Sequence, residues 1–398
     1  MTLYRPDAFE PLTETPWSED RAREGIREIV ADAEAAFRGP KLFWRANEWD
    51  GWHGTSPMKN LYAGTAGVLW ALDRLQRAGD AETTLDLAEL AARNVELFRG
   101  RPDFMKGMKL PTPREAALLT GETGILLTAC RLGRRGYADD LHALVRANVD
   151  NEAEELMWGA PGTLLAAEAM WRLTGEKRWE AARDETARAL LSRRDADGYW
   201  TQRLYGREGR GLTPPHGLAG NVQMLLPALG DPDNEVTDRT RAILAETAVV
   251  EDGLANWPPR PRPELPGPDG QIRVQWCAGG PGVVVSAFRY LDEELLLAGA
   301  ELPWRTGPPN LEKGPGICHG TAGNGYAFLK AYWRLADELW LERARRFAMH
   351  ALEQVRRLRK QHGRGRYSLW TGDLGVALYV ADCISGTGVY PVLDEFYS

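Results

Sequence analysis

The chain has 398 residues, 43% of them hydrophobic, with a formal net charge of −7 at pH 7 and a pI of about 5.6. This composition predicts a globular protein with a sizeable core, and an acidic chain without a basic stripe argues against nucleic acid as a partner. Because no apolar run reaches about 18 residues and the N-terminus lacks the apolar core of a signal peptide, we expect no transmembrane segment and a soluble, cytoplasmic protein.

Residues 1–18 form a polar, proline-containing lead, and one pattern then recurs seven times along the chain. The pattern is Gly-x-x-Gly followed by an apolar run, and its copies are 64–67, 121–124, 159–162, 217–220, 279–282, 320–323 and 372–375. Successive first glycines are 57, 38, 58, 62, 41 and 52 residues apart, about the length of a helix hairpin with a variable loop. One copy indicates an ordinary turn, but seven copies predict a repeat architecture.

The apolar runs after the motifs are hydrophobic on nearly every side, which is typical of buried helices. Between them lie amphipathic, charge-rich segments that suit helices with one wet face, at 19–38, 81–99, 136–153, 177–193, 232–249, 292–302 and 337–357. The sequence therefore predicts an all-α fold in one domain spanning 1–398. In this fold seven outer helices surround seven inner helices in a closed (α/α) toroid with a central cavity.

The glycine spacing has a physical interpretation. Two glycines at i and i+3 lie on one face at a helix start, and they remove side chains where the backbone turns sharply or approaches a neighbour. We expect these glycines to let the inner helices pack closely around a narrow central axis.

Two loop insertions interrupt the helical pattern, at 196–215 and 257–270. The first is glycine-rich, and the prolines of the second exclude a helix. Both precede motifs that carry chemically active residues, so they are candidate walls or a lid of a site. Tolerated surface insertions remain the alternative.

The cysteines are too few and too scattered for a disulfide framework, so we expect free thiols or metal ligands. Cys277 and Cys318 both stand two residues before the first glycine of their repeat, and His319 follows Cys318. Two thiols and one imidazole with an open fourth position form a ligand set typical of catalytic zinc. The alternative is that they are small residues filling turns, which is our interpretation of Cys130 and Cys383 within helical runs.

Three further residues lie close to the motifs. His216 stands one residue before the first glycine of its repeat, Glu155 four residues before, and Arg273 six residues before. In a ring of parallel inner helices these positions converge at one end of the axis. The sequence therefore predicts a site at that end.

Three segments carry a family resemblance: Trp-Cys-Ala-Gly at 276–279, Cys-His-Gly at 318–320 and His-Gly-Leu-Ala-Gly at 216–220. Together with the sevenfold motif, they closely resemble the lanthionine synthetase C-like family over roughly residues 60–385. The resemblance implies an (α/α) toroid that adds a thiol to dehydroalanine or dehydrobutyrine, forming a thioether.

The resemblance also implies roles for the site residues. It implies that Cys277, Cys318 and His319 hold a zinc ion. It implies that His216 transfers a proton and that Arg273 stabilises an enolate oxygen.

The same resemblance implies an acidic residue that orients the histidine. Glu155 matches that position, and Glu154 beside it remains an alternative.

The expected substrate is a dehydrated peptide or protein, and the thiol comes from an internal cysteine or from glutathione. The sequence contains no kinase, lyase or dehydratase segment, so we expect a separate dehydratase to supply the substrate. Two alternatives stay open. One is a non-catalytic toroid that binds glutathione or a peptide, and the other is an (α/α) barrel glycosidase or epimerase, which needs paired carboxylates or histidines instead of zinc thiolates.

Overall fold

The computed structural model describes residues 3–51, 57–104, 109–261 and 271–395. Within these ranges the chain is mostly helical. Two short antiparallel hairpins form as well, Gln202–Leu204 with Arg207–Gly209 and Val249–Glu251 with Leu254–Asn256.

Every Gly-x-x-Gly motif begins a helix, and in each case the first glycine is the residue directly before it. These inner helices are buried along most of their length, as their apolar sequences predict. They are Thr65–Ala78, Glu122–Arg131, Ala160–Thr174, Leu218–Leu229, Gly280–Ala287, Thr321–Leu335 and Asp373–Ser385.

The amphipathic segments form the outer helices, each with one buried and one exposed face. They are Glu19–Ala35, Leu87–Gly100, Ala138–Ala147, Lys177–Ser192, Glu235–Thr247, Glu293–Thr306 and Glu338–His362. A four-residue helix, Glu48–Gly51, lies outside this pattern, as do the single-turn 3₁₀ helices Pro6–Ala8, Arg114–Ala116, Arg135–Tyr137 and Pro214–His216.

The inner helices close into a ring. Each packs against the next along the chain, and the last, Asp373–Ser385, packs against the first, Thr65–Ala78. Helix Glu19–Ala35, although first in sequence, packs on the last inner helix. The predicted all-α toroid with seven inner and seven outer helices is confirmed. None of the helices in the described ranges is both long enough and apolar enough to cross a lipid bilayer.

The second glycine of each motif is required by close contact with backbone. At all seven positions an added Cβ would lie 1.8–2.4 Å from the carbonyl oxygen of the residue six positions earlier. At Gly124, for example, the Cβ would lie 2.1 Å from the Leu118 oxygen and 2.8 Å from Leu61 of the preceding repeat. The loop before each inner helix therefore folds tightly over the helix start and against the neighbouring loop.

Hydrogen bonds join these loops around the ring. The residue two positions before the first glycine donates its N–H to the carbonyl of the equivalent residue in the next repeat, with N···O distances of 2.8–3.3 Å. Within the described residues this bond forms at five of the seven junctions, namely Tyr62 to Leu119, Met157 to Pro215, Cys277 to Cys318, Cys318 to Trp370 and Trp370 to Tyr62. The two junctions of the described loops that lack this bond are Leu119 to Met157 and Pro215 to Cys277, and at the second of them Pro215 has no N–H to donate.

The described part of the N-terminal lead, residues 3–18, is docked on the helices. His350 of helix Glu338–His362 is 2% exposed, and its Nδ1 accepts the Thr13 N–H at 3.0 Å. Its Nε2 therefore carries the proton and donates to Glu10 at 2.9 Å. Burial lowers the pKa of His350, which favours this neutral form.

We predict that Gly124→Ala lowers the free energy of unfolding by about 2–3 kcal/mol, because the new Cβ would overlap the Leu118 carbonyl. Thermal denaturation measures the effect. Gly136→Ala is the control, since a Cβ at Gly136 meets nothing within 4 Å. Equal midpoints for the two variants would contradict the role assigned to the motif.

Candidate metal centre

The structure brings together the three predicted zinc ligands. The possible ligand atoms of Cys277, Cys318 and His319 all lie within 4.8 Å of one another, and Cys277 Sγ is 3.1 Å from His319 Nδ1. The two cysteines occupy the same position in neighbouring repeats, and the Cys277 N–H donates to the Cys318 carbonyl at 3.3 Å. The loop ring therefore aligns residues that are 41 positions apart in sequence.

The charges of the two thiols are strongly linked. A hydrogen bond from the Cys318 thiol, followed by the positive charge of His319, holds the pKa of Cys277 well below its ordinary value despite burial. Burial and the neighbouring Cys277 raise the pKa of Cys318 well above its ordinary value. The pair thus readily gives up one proton and retains the second. A divalent cation would displace that second proton, so the donor set fits zinc.

Tyr62 is a contact of this cluster that sequence reasoning missed. Its hydroxyl donates to Cys318 Sγ at 2.9 Å, and burial together with the two thiols raises the pKa of Tyr62 well above its ordinary value. It therefore stays protonated and remains a donor to sulfur. The available signal was its position, because Tyr62 stands two residues before Gly64, as the cysteines do in their own repeats.

His216 and Glu155 form a pair. Glu155 Oε2 lies 2.6 Å from His216 Nδ1, and the Glu155 side chain is fully buried. The carboxylate also accepts the Met157 N–H at 3.2 Å and the Trp158 N–H at 2.6 Å, so it cannot turn away from the ring. His216 is 37% exposed, and its Nε2 is the ring nitrogen left available to a bound molecule.

Glu154, the alternative acidic residue, faces elsewhere. Its φ is +47°, which turns the chain between the two glutamates, and its carboxylate pairs with Arg193. Its backbone carbonyl accepts from Asn221 Nδ2 at 2.8 Å. The structure therefore places Glu155, and not Glu154, against the histidine.

The cysteine–histidine cluster and the His216–Glu155 pair lie on one cavity of about 1030 Å³. Its lining includes His216 and all three residues of the cysteine–histidine cluster. The guanidinium of Arg273, an exposed residue on the same wall, is one of the charges that lower the pKa of Cys277. The six predicted site residues therefore lie in or directly behind one cavity, while their catalytic and metal-binding roles stay predictions.

The two loop insertions contribute to the cavity wall. The first contains the hairpin Gln202–Leu204 with Arg207–Gly209, and residues of this hairpin line the cavity. From the second, Pro259 and Arg260 line it, whereas residues 262–270 lie outside the described ranges.

The cavity wall is cationic although the chain is acidic. Its described lining holds one carboxylate, that of Glu208. The lysine and arginine side chains on the same lining are Lys109, Arg207, Arg210, Arg260 and Arg273. Arg210 is engaged by Asp195 and Asp197.

The chain resembles known proteins in sequence and in fold. A family model described as "Lanthionine synthetase C-like protein" matches residues 58–392. A solved structure of nisin cyclase superposes with a TM-score of 0.58 at 16% identity, covering 95% of this chain and 99% of that chain, a likeness in fold alone.

Two curated relatives match part of the chain. Glutathione S-transferase LANCL1 of Danio rerio is 30% identical over an alignment of 183 residues, and the match covers 42% of this chain and 42% of that protein. LanC-like protein GCL1 of Arabidopsis thaliana is 28% identical over 186 residues, 43% of this chain and 40% of that protein. The chain thus matches less than half the length of each.

We predict that Cys277→Ala and Cys318→Ala each abolish stoichiometric zinc, because either change removes one thiolate ligand. Elemental analysis of the purified variants tests this. Cys130→Ala is the control and should keep its metal, since Cys130 is fully buried within helix Glu122–Arg131, away from the cluster, and burial raises its pKa to about 11. A fully metallated Cys277→Ala, Cys318→Ala double variant would refute the ligand assignment.

Proposed function

The chain belongs to the lanthionine synthetase C-like family, and from this premise we propose that it catalyses the zinc-dependent addition of a thiol to dehydroalanine or dehydrobutyrine residues of peptides or proteins. The observation that carries the proposal is one cavity shared by a cysteine–histidine cluster and a buried carboxylate–histidine pair. The cysteine–histidine cluster would bind the metal that activates the thiol, and the carboxylate–histidine pair would supply the proton.

The reaction has two bond-forming steps. The sulfur forms a bond to the β-carbon of the dehydro residue as the carbon–carbon π bond breaks, and the electron pair moves onto the carbonyl oxygen as an enolate. The α-carbon then takes up a proton. The product is a thioether, and the net change is addition of S–H across the double bond.

Cys277, Cys318 and His319 are the residues that would hold the metal. A zinc ion held by them would lower the pKa of an incoming thiol, so that thiolate would be available at neutral pH. The two cysteines bring two negative charges, which offset the charge of the ion and favour sulfur transfer over hydrolysis. A glycosidase or epimerase needs paired carboxylates or histidines. Glu208 is the lone carboxylate on the described cavity lining, and the two histidines there do not form a pair, because His319 lies with the cysteines and His216 is bound to Glu155.

His216 is the proposed proton donor to the α-carbon. The Glu155 carboxylate accepts a hydrogen bond from Nδ1–H of His216. The proton that His216 transfers is therefore the one on Nε2, on the cavity side of the ring. Because Glu155 is buried and anchored by two backbone N–H groups, it would also stabilise the positive charge of a protonated imidazole.

Arg273 is the proposed partner of the enolate oxygen. Its side chain is exposed on the wall that also carries Cys277, and a guanidinium there would stabilise negative charge that develops in the transition state.

Glutathione is a second candidate thiol donor besides an internal cysteine. The cationic wall supports it, because Lys109, Arg207 and Arg273 present positive charge to a thiol that carries carboxylates. One relative is named a glutathione S-transferase. For either donor, we propose that a separate dehydratase supplies the dehydrated substrate and that the reaction is cytoplasmic.

We predict that His216→Ala retains zinc but lowers turnover roughly 10²-fold or more, the range expected for a lost acid–base group. Mass spectrometry follows glutathione addition to a dehydroalanine peptide as a mass increase. Ring closure in a peptide with its own cysteine is followed as loss of thiol alkylation, because the mass does not change. His362→Ala on the exposed end of an outer helix is the control.

Two results would count against this mechanism. Unchanged kinetics in His216→Ala would show that the proton comes from another group. A wild-type protein that binds glutathione or the peptide and forms no thioether would favour the non-catalytic alternative.

A further inference from the structure

The segment 387–395, which follows the last inner helix, turns back into the ring. Its two carboxylates, Asp394 and Glu395, have side chains that are 5% and 8% exposed, and they contact four different inner helices. The partners are Lys330 and Gln223 for Asp394, and Arg131 and Trp70 for Glu395. Side chains from four inner helices can meet one short segment only inside the ring.

The turn in this segment has a strained backbone that hydrogen bonds stabilise. Val392 has φ +68°, a left-handed conformation that is rare for a β-branched residue. The Glu395 carboxylate accepts the Val392 N–H at 3.2 Å, and the Asp394 carboxylate accepts the Tyr390 N–H at 3.1 Å. Such strain persists when surrounding contacts over-determine it, so the segment has a fixed position in the ring.

Tyr390 is the residue of this segment that reaches the loops of the metal centre. It is fully buried, and its hydroxyl donates to the Ile317 carbonyl at 2.7 Å. Ile317 directly precedes Cys318 and His319, so this bond fixes the backbone beside two of the three candidate ligands.

The aromatic ring of Tyr390 packs beside the third candidate ligand, Cys277. It stacks on Trp276 with centroids 5.3 Å apart and an interplanar angle of 19°, and Trp276 directly precedes Cys277. The ring also packs 5.7 Å from Trp370, whose carbonyl accepts the Cys318 N–H at 2.8 Å. One side chain therefore contacts the backbone or the flanking residue of both cysteines.

This support falls at one of the two described junctions of the loop ring that lack the backbone hydrogen bond. Pro215 has no N–H to donate to the Cys277 carbonyl. The Cys277 loop is therefore joined by a ring hydrogen bond only to the following repeat, through the Cys277 N–H and the Cys318 carbonyl. Packing of Tyr390 on Trp276 stabilises the Cys277 loop from inside the ring, at a junction without a backbone hydrogen bond from the preceding repeat.

We propose that Tyr390 is a positioning residue for the metal centre, which it acts on through Ile317, Trp276 and Trp370. The inference rests on the proposed zinc site and adds a function for the segment 387–395. Residues that orient metal ligands from outside the ligand shell typically affect metal affinity or activity 10- to 100-fold.

The test compares Tyr390→Phe with Tyr379→Phe. Tyr379 is a matched control, because it is also fully buried, also packs on Tyr326, and donates its hydroxyl to a backbone carbonyl, that of Ala344, at the same 2.7 Å. The two variants lose equivalent hydrogen bonds, so we expect similar falls in the thermal midpoint.

Only Tyr390→Phe should alter the metal site. We expect zinc to pass to a chromogenic chelator about 10-fold faster than from wild type, and the sulfur-to-metal charge-transfer band of the cobalt(II)-substituted protein to shift. Tyr390→Ala, which also removes the ring, should have a larger effect on both measurements.

The outcomes separate this inference from the proposed function. If wild type retains zinc and the two phenylalanine variants behave alike in zinc release and in the cobalt spectrum, Tyr390 is structural only and the inference is overturned while the zinc site stands. If wild type retains no zinc, both are overturned.

Discussion

The structure depends on close backbone contact at the start of the inner helices. At the second glycine of each motif there is no room for a side chain, because the carbonyl six residues earlier occupies that space. Removing the Cβ lets each loop fold over its own helix and lie against the loop of the next repeat. Once the loops touch, N–H and carbonyl groups two residues before the first glycines pair around most of the ring. The chemical groups are placed by these same contacts.

Much of this could be predicted from the sequence because it repeats. The helices follow from periodicity and from glycines that mark their beginnings. The cluster of Cys277, Cys318 and His319 follows from register, since equivalent positions of neighbouring repeats must be close in space. His216 lies on the same cavity for the same reason.

Other features could not be predicted, because they arise from contacts outside the repeat. Tyr390 carries no motif of its own, although its side chain contacts the residues beside both cysteines. The choice between the two glutamates depends on a left-handed backbone angle at Glu154, an uncommon conformation for that residue type. The docking of the N-terminal lead on His350 joins residues more than 300 positions apart and has no local signal.

The interruption at Pro215 has a consequence for how this architecture can diversify. His216 lies beside Pro215, and Cys277 lies on the loop of the next repeat, so the proposed proton donor and the proposed metal centre lie on either side of the junction where proline prevents the backbone bond. Their separation is governed by side-chain packing instead of a rigid ladder. Substitutions there can change the distance between His216 and Cys277 while the five bonded junctions keep their pairing. A lineage could thereby adapt to acceptors of different bulk without rebuilding the scaffold.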